Sequence, residues 1–258
     1  MKAATQSDWK DLLRQAVSEP GVLSKAYSNF HRYSAGNCIS ATFECFARDL
    51  EVGPINTFNG WKSLGRYVKK GEKAIHLCMP ITHKTTVTND EGEEEEKTFT
   101  RFVWRPNWFT MSQTDGDDYE AQETPEWTKE NALTALDIKE ETFKHTDGNV
   151  QGYAHDRVIA INPLNKQAHK TIFHEVAHIL LGHTDVKAHD TKPPQSLREV
   201  EAESVAYLCC TLLGLNQVAE SRGYIQHWLG EDDIPETSAR RIFKVTNDIL
   251  KAGQGVSA

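Results

Sequence analysis

Ile172-Phe173-His174-Glu175-Val176-Ala177-His178-Ile179-Leu180-Leu181 is an apolar run carrying H-E-x-x-H, and it sets how the rest of the chain is read. Residues four apart share a helix face, about 5–6 Å apart at Cβ, so this spacing predicts a helix on which the imidazoles of His174 and His178 converge on one cation. Glu175, next to the first imidazole, is then placed as general base toward a water on that cation. A catalytic zinc site keeps three protein ligands and one open position, so a third ligand is expected from another element. Arg198 to Leu208 supplies the candidates. Glu199 and Glu203 lie one turn apart beside Ala202 and Ala206, whose small side chains permit close helix approach. The reading takes Glu199 as the third ligand and Glu203 as an outer acceptor orienting a histidine ring. The exchanged assignment fits the spacing nearly as well, and Glu201 points elsewhere. Zinc is the expected ion, with manganese or cobalt as substitutes.

The competing explanation is a pair of core histidines. A carboxylate buried between two imidazoles costs several kcal/mol without a cation to offset it, which favours the metal. Gly182-His183 reads as a helix stop, with a glycine and a capping histidine.

At 258 residues the chain holds two ordinary domains or one large one. No run of about 18 apolar residues is present, and the N-terminus lacks the apolar stretch of a secretory signal, so a cytoplasmic protein without membrane contact is expected. Cys38, Cys45, Cys78, Cys209 and Cys210 lack C-x-x-C spacing and read as buried thiols. Charge is unevenly spread. Residues 1–85 carry 12 Lys and Arg against 7 Asp and Glu, residues 86–130 carry 4 against 13, and residues 131–258 carry 13 against 17. A basic first third points to a polyanion partner there.

Helices are expected over Asp8–Val17, over Asn37–Leu50 with Ile39, Phe43, Phe46 and Leu50 inward, and over Gly60–Val68. Ala74–Thr82 and Thr98–Met111 read as strands flanking an acidic hairpin tip at Glu93–Glu96, with Pro106 at a bend or edge. A domain boundary is expected within 112–126. Beyond it come a helix capped by Thr128, strands at Thr142–His145 and Tyr153–Ile161 joined through Asp147-Gly148, the metal helix from about Lys166, the acidic helix, and helices near Gly223–Leu229 and Ser238–Leu250. The pattern is α+β, with helices around a small antiparallel sheet in each half.

Trp61, Lys62, Arg66, Tyr67, Lys69, Lys70 and Lys73 interleave cations with aromatic rings over thirteen residues. Such a segment can neutralise phosphates and stack on unpaired bases, and Asn37 sits in a polar stretch that could line the same groove. Trp61, Leu64 and Val68 equally make a core stripe, so both readings stay open.

In order along the chain, Tyr33-Ser34-x-x-Asn37, Trp61-Lys62-Ser63-Leu64-Gly65-Arg66-x-Val68-Lys69-Lys70-Gly71-Glu72-Lys73, Phe109-x-x-Ser112-Gln113-Thr114-Asp115-Gly116, Lys170–His178 and Glu199-x-x-Ala202-Glu203 resemble the ArdC family of antirestriction proteins. The resemblance implies a single-stranded-DNA-binding domain over 1–120 and a zincin-type metallopeptidase domain over 127–258. It also implies protection of incoming conjugative DNA from host restriction, and it leaves the peptidase target open, with a host restriction enzyme or another protein as candidates. Glu93–Glu96 strains that picture and must project away from DNA. The short Pro193-Pro194 segment leaves little room for a substrate-covering insertion. Two rivals remain: a strand-coating protein whose zinc is structural, and a repressor-cleaving peptidase similar to the ImmA-like proteins.

Overall fold

The computed structural model describes residues 8–19, 23, 26, 29–88, 94–120, 123–145, 149–185, 192–215, 219–231 and 234–255. Their contacts divide into two units. One holds Ser40–Ala121, and the other holds Ser7–Ile39 together with Gln122–Ala258. The second division falls inside the expected 112–126 boundary. The N-terminal one does not follow the sequence reading, because α1 (Trp9–Ser18) packs in the same unit as the C-terminal half.

The cause is specific to α1. Its apolar stripe Leu12, Leu13, Ala16 and Val17 is fully buried, and the Trp9 ring lies 5.3 Å from Phe243. Glu236 accepts from the Trp9 and Lys10 backbone N–H groups, both at 3.1 Å, satisfying donors that a helix start leaves orphaned. Tyr207 and Arg222 donate to the Ala16 and Val17 carbonyls at the other end. Asp8 caps the helix through Asp11 N at 2.8 Å.

Helix α2 (Ala35–Ala47) runs through the first division. Burial is continuous from Cys38 to Cys45 and stops there, so Phe46, expected inward, is exposed. In the first unit, β1 (Ile55–Thr57), β4 (Glu94–Thr110) and β3 (Ile75–Thr88) form an antiparallel sheet in the order β1-β4-β3. Both long strands extend past their expected limits. Glu94–Glu96 therefore belong to β4 and pair with Thr86–Thr88, while residues 89–93 lie outside the described residues. Pro106 sits where the β3–β4 register shifts between Ile75 and His76, a bulge that accommodates a residue with no N–H to donate.

Helix α3 (Phe58–Ser63) is shorter than expected. It is capped by Thr57, and Gly65 at φ +72° ends the turn that follows. Arg66–Val68 then becomes β2, paired with β5 (Thr114–Gly116) beyond a short 3₁₀ turn at Met111–Gln113.

The second unit holds α4 (Lys129–Ala135), with Thr128 as N-cap, and a three-stranded sheet in the order β6-β8-β7. The members are β6 (Lys139–Glu140), β7 (Gly152–His155) and β8 (Val158–Ile161). Thr142–His145 is not a strand. The 153–161 stretch turns on itself at Asp156–Arg157, with Asp156 at φ 46°, and β6 joins β8 in parallel. Asp147-Gly148 falls outside the described residues. Against this sheet and one another lie α5 (Ala168–Leu180), α6 (Gln195–Leu212), α7 (Ala219–Glu231) and α8 (Glu236–Gly253). All five cysteines are buried thiols. No helix among the described residues is long and apolar enough to cross a membrane.

Candidate metal centre

Helix α5 buries Ile172, Phe173, Val176 and Ala177, and this apolar stripe fixes its rotation. The same rotation turns His174 and His178 toward α6. Their Nε2 atoms stand 3.0 Å apart, and Glu199 Oε2 lies 3.4 Å from the first and 3.6 Å from the second. Three donors about 2.0–2.1 Å from a tetrahedral ion are separated by about 3.3 Å, so this triangle is the right size for zinc or an ion of similar radius. Among the described residues, His174, His178 and Glu199 are the group of side chains spaced to hold a metal ion.

Each imidazole has an outer partner. His174 Nδ1 meets Glu203 Oε2 at 3.1 Å, and Glu203 Oε1 meets Lys170 Nζ at 2.9 Å. His178 Nδ1 meets His183 Nδ1 at 2.9 Å, and His183 Nε2 meets Glu201 Oε2 at 2.9 Å. Both chains thus end on carboxylates, and Glu201 is fully buried. Its other oxygen lies 3.8 Å from Arg241.

Electrostatics follow these contacts. Burial pulls the His174 imidazole down, but hydrogen bonds to Glu199 and Glu203 outweigh it and hold the group up at about 9. Hydrogen bonds to His174 and His178 hold Glu199 well below the usual carboxylate range, against its burial. Burial would raise Glu203, yet His174, Ser221 and Lys170 bring it to about 2. Glu201 is lowered in the same way, with His183 as the leading opposition to burial. Burial pushes Glu175 up, partly offset by the two imidazoles. A carboxylate raised in this way is a stronger base toward a proton it takes up.

Glu175 lines a cavity of about 740 Å³ together with Lys170, His174, Glu203 and the segment Asn149–Gly152. A larger cavity of about 1200 Å³ lies between α4 and the end of α8 and contains none of His174, His178 and Glu199. Size does not identify the site here; convergent donors do.

Sequence reasoning missed Lys170 and underread His183. Lys170 lies four residues before His174, a helix-face spacing that could have flagged it. His183 was read as a cap, and its backbone does cap: Gly182 adopts φ +76°, His183 N reaches His178 O at 2.8 Å, and Gly182 N reaches Ile179 O at 3.0 Å. The same turn lays the His183 ring against His178.

The basic segment divides. Trp61 is buried, donates Nε1–H to the Phe109 carbonyl at 2.8 Å and meets the Tyr119 ring edge-on, so it offers no face for a base. Arg66 is committed to Thr114 Oγ1, the Thr114 carbonyl and the Asp117 carbonyl. Lys69 donates to the Ser112 carbonyl at 2.9 Å and lies 3.6 Å from Asp115. Lys62, Lys70 and Lys73 are exposed, as is Tyr67 at 59 %. Asn37, half-buried on α2, belongs to the other unit.

Residues 1–115 match the family model for the N-terminal domain of anti-restriction factor ArdC, and residues 134–248 match that of the IrrE N-terminal-like domain, a peptidase family. No curated protein matches the chain. Among solved structures, the chain is similar to the metal-free antirestriction ArdC protein from the R388 plasmid, with TM-score 0.55 and 18% identity over 95% of this chain and 94% of that one. The Mn(II)-bound form of that protein gives TM-score 0.51 and 18% identity over 96% of each chain. At this identity the likeness is one of fold.

Proposed function

We propose that the chain, whose residues 1–115 match the ArdC N-terminal domain and whose residues 134–248 match the IrrE N-terminal-like peptidase domain, is an antirestriction protein of the ArdC family combining a single-stranded-DNA-binding surface with a metal-dependent peptidase site. The observation that carries this reading is the meeting of His174 Nε2, His178 Nε2 and Glu199 Oε2 within one ion's coordination distance, with Glu175 beside them. Zinc is the ion we assign. Manganese is a substitute, as in the Mn(II)-bound R388 protein.

A divalent cation bound there supplies Lewis acidity, polarising water and a peptide carbonyl. The chain's own residues do the rest. Glu175 takes the proton of the attacking water and returns it to the leaving amine. Glu203, anchored by Lys170, holds the His174 ring from its outer side. Within residues 61–73, Lys62, Lys70 and Lys73 are exposed cations that can meet phosphates, and Tyr67 is an exposed ring that can stack on a base. A host restriction enzyme or another protein is the candidate peptidase substrate.

The test combines metal content, cleavage and transfer of unmodified DNA into a restricting host. Zinc should bind stoichiometrically to the parent chain, and Glu175→Ala should keep zinc while losing cleavage and protection. If Glu175→Ala still protects incoming DNA and Lys70→Ala/Lys73→Ala does not, strand coating is the function and the hydrolytic reading fails.

A further inference from the structure

Helix α5 ends in a turn that folds His183 back onto His178, one of the proposed ligands. His183 is 4 % exposed and lies between His178 Nδ1 and the fully buried Glu201, at 2.9 Å from each. We propose that His183, held by Glu201, is a positioning residue that sets the tautomer of His178 and keeps its Nε2 lone pair free for the cation. The inference rests on the reading of His174, His178 and Glu199 as ligands.

The argument is a count of protons along one line. A carboxylate accepts and does not donate, so the hydrogen between His183 and Glu201 sits on His183 Nε2. Neutral His183 then presents a bare Nδ1, which accepts from His178 Nδ1–H. A neutral His178 with its hydrogen on Nδ1 has a bare Nε2, the atom that faces His174 Nε2 and Glu199 Oε2. With the opposite arrangement, His178 Nδ1 accepts and its hydrogen moves to Nε2, aimed at the cation's position. The direction of one buried hydrogen bond therefore decides whether the ligand is ready.

The other imidazole is held by a shorter route. His174 Nδ1 faces Glu203 directly at 3.1 Å, whereas His178 is linked to its carboxylate through a second ring. Gly182 makes the link possible, since its left-handed φ lets His183 N reach His178 O and brings the two rings together.

The test begins with metal-free parent protein labelled with ¹⁵N-histidine. Long-range ¹H–¹⁵N spectra should show His178 protonated at Nδ1 and bare at Nε2. Zinc affinity is then measured by competition with a chromophoric chelator. Glu201→Leu and His183→Leu should weaken zinc binding by about 10–100-fold, the usual cost of losing an outer partner. His183→Gln, whose carbonyl can still accept from His178, should recover most of that loss. In Glu201→Leu the His178 spectrum should shift toward the Nε2-protonated form, which a merely packing role for Glu201 would not produce. A parent spectrum with hydrogen on His178 Nε2 overturns the proposal even if a variant fails to fold. So does Glu201→Leu that leaves both tautomer and affinity unchanged. Absence of zinc binding in a parent chain with the expected tautomer would instead overturn the metal assignment.

Discussion

Behind His174 the charges of Glu203 and Lys170 are paired under cover, whereas those of residues 61–73 reach into solvent or are tied to neighbouring backbone and side-chain oxygens. Glu203 and Lys170 are 13 % and 17 % exposed at the side chain, while Lys70 and Tyr67 stand open. Buried convergent groups cannot rearrange around a lost neighbour, so single substitutions there should act all at once. Exposed groups act through screened attractions, one increment at a time.

The sharpest break of this contrast is His174→Ala. It removes a proposed ligand and leaves Glu199 and Glu203 without the imidazole that lowers both. Zinc affinity should fall by more than the roughly 10–100-fold expected of an outer partner. The same chelator competition measures it, and parent-like binding would remove the metal centre from the comparison altogether.

The second prediction is a pH dependence with opposite signs for two observables. His174 is held at about 9, above its ordinary value, so the metal-free fold gains stability from the protonated ring. That stability is fully present below the ordinary histidine range and is lost as pH rises through about 9. A cation needs the bare ring, so its apparent affinity should rise by roughly tenfold per pH unit until about 9. Melting curves of metal-free protein should therefore drop between pH 6.5 and 9 while the stabilisation added by zinc grows. Parallel behaviour of the two would show that His174 does not govern the site.

What could be read from residues alone follows the range of the forces involved. H-E-V-A-H lies on one helix, where backbone geometry fixes spacing, so His174, Glu175 and His178 were legible without any knowledge of packing. Glu199 and Glu203 share a turn for the same reason, and the structure brings Glu199 to the imidazole pair and Glu203 behind His174. Glu201–His183 was not legible, because it depends on where α6 crosses the end of α5. Nor was the docking of α1: its stripe was plain, but its Trp9 and Lys10 N–H groups are met by Glu236, 227 residues from Trp9. Thr142–His145 misled because β propensity cannot say whether a strand has a partner. In the basic segment, composition was clear and direction was not. Gly65 ends the helical turn there, so helical periodicity no longer predicts which side chains face solvent.

Two aromatic residues six apart sharpen the comparison further. Tyr67→Ala should weaken binding of a labelled oligothymidine by the worth of one stacked base, about 1–3 kcal/mol. Trp61→Phe should leave that affinity alone but leave the Phe109 carbonyl without its indole donor, at a stability cost of about 1–3 kcal/mol. Fluorescence anisotropy and urea melts separate the two. A loss of DNA affinity in folded Trp61→Phe would return the tryptophan to the binding surface.

The smallest effect tests the cations one by one. Each phosphate contact on a single strand contributes about 0.7 to the slope of log affinity against log salt. Lys70→Ala and Lys73→Ala should each lower the slope by about that amount, because both ammonium groups are exposed. Lys69→Ala should lower it by less. Its ammonium already donates to the Ser112 carbonyl and faces Asp115, so a phosphate would have to compete with both. Equal slopes for all three variants would mean that these contacts yield to DNA and that the segment acts by net charge alone. A graded response would mean that the contacts around β2 and β5 select which lysines reach the strand.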